Sequence, residues 1–171
     1  METGTKNMDT LLQLQIGITI AVQQLGGLTA LMRAFAFLGQ EEFFLFALPL
    51  VYWCVDASTG GRLAVLLVLS NSVNVLLKLA FHLPRPYWVD SRVQALATET
   101  SYGLPSGHAQ NAASIWFFFA GAFQRRPERS GEGAPLSDSR RAKGAWLAAA
   151  VVVLMISLSR IYLGVHFVPD V

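Results

Sequence analysis

The chain has 171 residues, of which 53% are hydrophobic and only 14% are charged, and its formal net charge at pH 7 is +2. Together with a mean hydropathy of +0.45, this composition lies far from that of an ordinary soluble domain and predicts a membrane protein. The small net charge, with no basic run interleaved with aromatic residues, argues against a nucleic-acid partner, and a single cysteine excludes an intrachain disulfide.

Successive apolar segments predict an all-α fold, a polytopic membrane bundle of about five helices. The first segment, residues 11–31, contains four glutamines and is typical of an amphipathic or packed helix. The second, residues 43–55, is too short to cross a bilayer unless its helix begins earlier. Three further segments are long enough to cross hydrocarbon roughly 30 Å thick at about 1.5 Å per residue: residues 61–83, 107–123 and 145–163.

The distribution of basic residues predicts how this single domain, residues 1–171, is oriented in the membrane. Residues 125–143 contain six basic and three acidic residues among Pro, Gly and Ser, so we expect a solvated cytoplasmic loop. Residues 84–105 balance two basic with two acidic residues and are placed outside. The helix ends that border residues 84–105 are therefore expected at the extracytoplasmic face.

The extracytoplasmic helix ends carry three cations, two histidines and a carboxylate. These residues are Lys78, Arg85, Arg160, His108, His166 and Asp170. Ionisable groups near hydrocarbon are costly and tend to face a polar cavity, whereas snorkelling to the headgroups explains any one cation alone. Asn71, Asn74 and Lys78 share one helix face by their spacing, which we expect to point into the bundle.

This set of residues suits a phosphate group. Guanidinium, ammonium and helix N-terminal N–H groups bind phosphate, and the sequence "PSGH" (residues 105–108) supplies such a terminus, although Ser106 is also an ordinary N-cap. Two histidines permit a nucleophile and a proton donor in one site. Asp170 follows His166 by four residues, so we expect it one helical turn away, where it holds the imidazole tautomer. A metal site is less favoured because the cations would repel a divalent ion.

Three spaced motifs connect these residues to a known family. The segments "KLAFHLPRP" (residues 78–86), "PSGH" (residues 105–108) and "SRIYLGVHFVPD" (residues 159–170) read K-x6-R-P, P-S-G-H and S-R-x5-H-x3-D. In this order they resemble the three signatures of the type 2 phosphatidic acid phosphatase family, which is related to vanadium haloperoxidases and glucose-6-phosphatase. Every fixed position is present, and the resemblance covers residues 78–171.

The resemblance implies phosphate-ester hydrolysis without a metal or cofactor, through a phosphohistidine. By this resemblance His166 is the nucleophile, Asp170 orients it, and His108 protonates the leaving group and later activates water. The other motif residues would hold the phosphoryl oxygens: Lys78, Arg85, Ser106, Gly107 and Arg160. The resemblance also implies a sixth membrane helix after Val171, so we expect His166 and Asp170 on a C-terminal segment that lacks helix packing.

A site at the membrane–water border suits a substrate whose tail stays in the bilayer. The expected function is therefore an integral membrane lipid phosphate phosphatase acting on phosphatidate, phosphatidylglycerophosphate or a polyprenyl diphosphate. A non-catalytic protein that binds lipid phosphate is one alternative, and it would need the cations but not the paired histidines. A haloperoxidase would use the same pocket for vanadate, but the membrane-embedded composition disfavours a producer of diffusible oxidant. The oligomeric state stays open.

Overall fold

The computed structural model describes residues 2–124 and 136–171, and over these residues the chain is all-α, as predicted. Seven α-helices are followed by a short 3₁₀ turn. In chain order they are α1 (Glu2–Gln23), α2 (Thr29–Phe37), α3 (Glu41–Cys54), α4 (Ala57–Phe81), α5 (Pro86–Val89), α6 (Gly107–Gln124), α7 (Leu136–Tyr162) and the turn at Val168–Asp170.

Two helix boundaries differ from the prediction. The helix predicted over residues 11–31 is wrong in its second half, because Gly27 adopts φ +83° and separates α1 from α2. At the other end of the chain, α7 begins at Leu136 and absorbs residues 136–143 of the predicted loop. Arginine, alanine and lysine in that stretch favour helix. The rest of the predicted loop, residues 125–135, lies outside the described part of the chain.

The helices pack around α6, which lies between α4 and α7, while α3 packs on α4 and α2 packs on α7. One buried apolar cluster joins three helices on the α4 side and consists of Phe44, Leu48, Leu63, Leu67 and Ile115. A second cluster joins α2 to the end of α7 and consists of Met32, Ala36, Tyr162, Leu163 and Val165. The two clusters fix the outer helices on opposite sides of α6.

Two segments of the described chain are long and apolar enough to cross a membrane, Ala57–Val89 and Arg140–Tyr162. The bent pair α2 and α3, which meet at 49°, forms a third if the pair counts as one span. Helix α6 occupies the predicted residues but is not in this group, because its first turns carry polar side chains that face its neighbours. The fold is that of an integral membrane protein.

The end of α4 brings two of the predicted cations together. His82 adopts φ 50° and its N–H donates to the Lys78 carbonyl at 3.0 Å, which caps the helix. Pro84 and Pro86 cannot continue the helix because neither has an N–H group. Lys78 therefore lies in the last turn of α4, and Arg85 lies in the loop that turns back over it.

Helix α7 ends in a Schellman motif at Gly164, which adopts φ +75°. The Val165 N–H donates to the Arg160 carbonyl at 3.2 Å and the Gly164 N–H donates to the Ile161 carbonyl at 3.0 Å. A side chain at position 164 would collide with the Gln94 carbonyl. This reversal carries His166 back toward the turn of α7 that contains Arg160.

We expect Gly164→Ala to lower the melting temperature of the detergent-solubilised protein by about 4 °C or more, because a left-handed alanine costs about 1–2 kcal/mol before the collision is counted. Gly144→Ala is the matched control, since it lies inside α7 and an added methyl group would meet no atom within 4 Å. Equal melting temperatures for the two variants would contradict this role for Gly164.

Candidate active site

A polar cavity of about 420 Å³ opens where α4 ends and α6 begins. Its wall includes five of the eight predicted site residues: Lys78, Arg85, Gly107, His108 and His166. Asn71 and Asn74 also line it, so the predicted inward face of α4 is confirmed. The other three predicted residues, Ser106, Arg160 and Asp170, are buried.

The second and third motifs are joined by a backbone hydrogen bond. The Ser106 N–H donates to the Asp170 carbonyl at 2.7 Å. The Ser106 hydroxyl also accepts from the Ala109 N–H at 3.4 Å, which is the geometry of an N-cap for α6. Ser106 thus begins the helix that carries His108 and also fixes the segment that carries His166.

The segment of residues 99–103, which we call the 99–103 segment, supplies oxygen atoms to all three cations. The Lys78 ammonium donates to the Tyr102 carbonyl at 2.5 Å and to the Gly103 carbonyl at 3.4 Å. The Arg85 guanidinium donates to the Ser101 carbonyl at 2.7 Å and the Tyr102 carbonyl at 3.1 Å. The third cation, Arg160, forms an ion pair with the Glu99 carboxylate.

The sequence did not reveal the 99–103 segment, because Glu99 was only one of the four charges counted in the loop of residues 84–105. The one available signal was Gly103, which has no room for a side chain. A Cβ atom at that position would lie 2.9 Å from the Pro84 carbonyl oxygen and 3.3 Å from an Asp170 carboxylate oxygen. The segment is therefore held closely between the first and third motifs.

His166 and Asp170 meet, but not across a turn of helix as predicted. Because Gly164 has already ended α7, His166 lies in non-helical backbone and Asp170 closes the 3₁₀ turn. The His166 Nδ1 atom lies 3.5 Å from the Asp170 Oδ2 atom and forms no hydrogen bond with any described residue. The same carboxylate oxygen accepts from the Phe167 N–H at 2.9 Å, which fixes its position.

His166 is only 1% exposed, and its surroundings favour the neutral ring. Burial lowers the pKa of His166 well below its usual value, and the charges of Arg85 and Arg160 lower it further. The Arg85 Nη1 atom lies 3.2 Å from Nε2. Since a guanidinium only donates, Nε2 is the acceptor and Nδ1 carries the proton that faces Asp170.

Asp170 shares this buried environment. Burial raises the pKa of the Asp170 carboxyl group, while the hydrogen bond from the Phe167 N–H and the charges of Arg85 and Lys78 act in the opposite direction. Burial outweighs the opposing interactions, so the cations and the Phe167 N–H offset only part of the cost of burying this carboxylate.

The expectation that His166 lies on a segment without packing was wrong. Val165 and Phe167, on either side of it, are both buried. Phe167 forms a core cluster with Ile16 of α1 and with Val93 of the loop between α5 and α6. The first helix, which matched no motif, therefore supports the segment that carries the third motif.

His108 lies in the first turn of α6 on the cavity wall. Its Nε2 atom is buried, and no group in the described chain forms a hydrogen bond with it. The turn between α2 and α3 packs against this residue, since a Cβ atom at Gly39 would lie 3.3 Å from the His108 Cβ. His108 thus offers the cavity a ring nitrogen that can exchange a proton with a bound molecule.

A network of buried amides between α4 and α6 positions the "PSGH" turn. The Asn74 side-chain amide donates to the Pro105 carbonyl at 3.2 Å and to the Gln110 Oε1 atom at 2.9 Å. Gln110 in turn donates to the Ser70 carbonyl at 2.8 Å. A Cβ atom at Gly107 would lie 3.3 Å from the Asn74 Oδ1 atom, so the helix start and the amide are in close contact.

We expect Asn74→Ala to lower the free energy of unfolding by about 1–3 kcal/mol, because it leaves buried hydrogen-bonding groups without partners. Ser72→Ala is the matched control on the same helix, since Ser72 is exposed and its hydroxyl donates to the Val68 carbonyl one turn away. Thermal unfolding in one detergent compares the two variants. A loss for Asn74→Ala no larger than that for Ser72→Ala would contradict the positioning role.

Comparison with known proteins relates this chain to a family. The sequence profile of the PAP2 superfamily matches residues 59–171. A probable sphingosine-1-phosphate phosphatase of Dictyostelium discoideum is 38% identical over 48% of this chain and 20% of its own length. The glucose-6-phosphatase catalytic subunit 1 of Haplochromis nubilus is 28% identical over 82% of this chain and 43% of its own length. The chain thus spans less than half the length of either curated relative.

A solved structure shares the fold. The transmembrane PAP2 type phosphatidylglycerolphosphate phosphatase from Bacillus subtilis superposes with a TM-score of 0.78, covering 94% of this chain and 77% of that one at 24% sequence identity. The helix arrangement described here is therefore that of a known membrane phosphatase structure.

Proposed function

The chain belongs to the PAP2 superfamily, and on this basis we propose that it is an integral membrane phosphatase that hydrolyses a lipid phosphate through a phosphohistidine. The observation that carries the proposal is the environment of His166. Its Nε2 atom is an acceptor and its Nδ1 atom faces a carboxylate, while two buried cations, Lys78 and Arg85, line the same cavity and a third, Arg160, lies behind Glu99. A neutral imidazole in this setting is a nucleophile beside a site for a phosphoryl group.

In the first step, the His166 Nε2 atom attacks phosphorus as the bond from phosphorus to the alcohol oxygen breaks. His108, protonated once the negatively charged phosphate has entered the site, gives its proton to that oxygen, so the products are a phosphohistidine and a neutral alcohol. The ring of His166 becomes positive as the nitrogen–phosphorus bond forms. The Asp170 carboxylate stabilises this charge through the Nδ1 proton.

In the second step, a water molecule attacks phosphorus and the phosphorus–nitrogen bond breaks. His108, now neutral, accepts a proton from the water, which restores both histidines and releases inorganic phosphate. The positive charges of Lys78, Arg85 and Arg160 balance the phosphoryl oxygens, together with N–H groups at the start of α6 near Ser106. Because these cations repel a divalent ion, the proposed reaction needs no metal.

We propose that the substrate is a lipid and that the cavity faces the extracytoplasmic side. The cavity opens at the end of helices whose outer faces are apolar, so a headgroup can enter while its hydrocarbon tail stays in the bilayer. Sphingosine-1-phosphate and phosphatidylglycerol phosphate, named as substrates of two similar proteins, are phosphate esters of this kind. Phosphatidate and a polyprenyl diphosphate are the other candidates.

We expect the protein to release phosphate from phosphatidate or a polyprenyl diphosphate in detergent with EDTA present. His166→Asn removes the nucleophile and should reduce the rate by about 10³-fold or more. His82→Asn is the matched control, since His82 is exposed and asparagine also tolerates its left-handed backbone. If the parent protein released phosphate without EDTA but not with it, metal-free catalysis would be contradicted. Equal rates in the two variants would contradict the role of His166.

We expect Asp170→Asn to lower kcat by about 10²-fold to 10⁴-fold with little change in KM, because an amide no longer favours the Nδ1–H tautomer or the positive ring. The asparagine oxygen can still accept from the Phe167 N–H, so the melting temperature should stay close to that of the parent protein. A kcat within threefold of the parent value would show that Asp170 does not orient the nucleophile.

A further inference from the structure

The Glu99 carboxylate lies where the proposed function requires a phosphoryl oxygen. It is paired with the Arg160 Nη2 atom, and the Arg160 side chain is only 2% exposed. Glu99 lines the cavity with 30% of its side chain exposed, whereas Arg160 is not part of the cavity wall. An anion that enters the cavity therefore meets Glu99 before it can reach Arg160.

The backbone of Glu99 is held by hydrogen bonds that do not involve its carboxylate. The Tyr87 hydroxyl donates to the Glu99 carbonyl at 2.9 Å and accepts from the Glu99 N–H at 3.2 Å. Tyr87 belongs to α5, which follows Arg85 directly. Both polar backbone groups of Glu99 are thus satisfied without help from its carboxylate. Rotation of the side chain alone is sufficient to release Arg160.

The charge on Glu99 distinguishes it from the rest of the 99–103 segment. Lys78 and Arg85 donate to uncharged carbonyl oxygens of that segment. Arg160 instead forms an ion pair with the negatively charged Glu99 carboxylate. A phosphate monoester carries up to two negative charges and three terminal oxygens. Exchange of one carboxylate for a dianion therefore increases the attraction to all three cations, whereas exchange for a monovalent anion does not.

We propose that Glu99 is an internal anion that occupies a phosphoryl-oxygen position on Arg160 in the unliganded site and is exchanged for the phosphoryl group when a substrate binds. The proposal rests on the proposed function for the role of Arg160. It makes Glu99 a specificity-determining residue, because only a dianionic headgroup displaces it favourably. After the reaction the Glu99 carboxylate pairs with Arg160 again, which weakens the binding of the released phosphate.

The test compares the binding of inorganic phosphate and of orthovanadate to Glu99→Gln and to the parent protein, by thermal shift and by competition. Glutamine keeps the size of the side chain and removes the competing charge. We expect the dissociation constants of both anions to fall by about tenfold or more. Glu41→Gln is the matched control. This substitution removes the same charge from the same cavity wall, but Glu41 lies exposed at the start of α3. We expect it to change the constants by less than threefold.

Unchanged or weaker anion binding in Glu99→Gln would overturn the proposal and make Glu99 a residue that positions Arg160. An equal gain in Glu41→Gln would also overturn it, since the effect would then be one of overall charge. If Glu99→Gln does not fold, Glu99→Asp retains the charge but shortens the reach to Arg160, and tighter phosphate binding is again expected.

Failure of the exchange can be told apart from failure of the proposed function. Anion binding is measured without turnover, so an absence of lipid hydrolysis by the parent protein would refute the phosphatase activity but not the exchange. Conversely, intact hydrolysis with no gain in anion binding by Glu99→Gln would refute the exchange alone.

Discussion

Three buried cations at one end of a membrane bundle are the feature on which the rest of the structure depends. Charged groups that leave water without partners are costly, and here the partners come from a loop that runs across the cavity. The 99–103 segment offers carbonyls to Lys78 and Arg85 and a carboxylate to Arg160. Helix α4, the loop above it and helix α7 are held in register because each carries a cation bonded to this one segment.

The same interactions would suit the cavity to the phosphate of the proposed function. The hydrogen-bond donors already point at oxygen atoms, so a phosphoryl group that replaced protein oxygens would need little reorganisation. The neutral state of His166 follows from this concentration of positive charge, since nearby cations oppose a second proton on the ring. The cations that would bind the substrate therefore also keep the nucleophile unprotonated.

The sequence predicted that the three motifs would lie together, because each lies at an end of a helix and the helix ends meet on one side of the bundle. The inward face of Asn71, Asn74 and Lys78 needed only helical spacing. The local path of the chain was harder to predict. Gly27 and Gly164 each redirect it through a left-handed conformation, which composition does not reveal. Glu99 escaped notice because its role depends on a contact with Arg160, a residue distant in sequence.

The hydrogen bond between the Ser106 N–H and the Asp170 carbonyl also bears on how the protein is made. The turn before α6 is synthesised long before Asp170, so a chain still being threaded into the bilayer has cations and a first histidine but no closed cavity. The cavity is therefore completed only when Asp170 has been added to the chain and its carbonyl meets the Ser106 N–H.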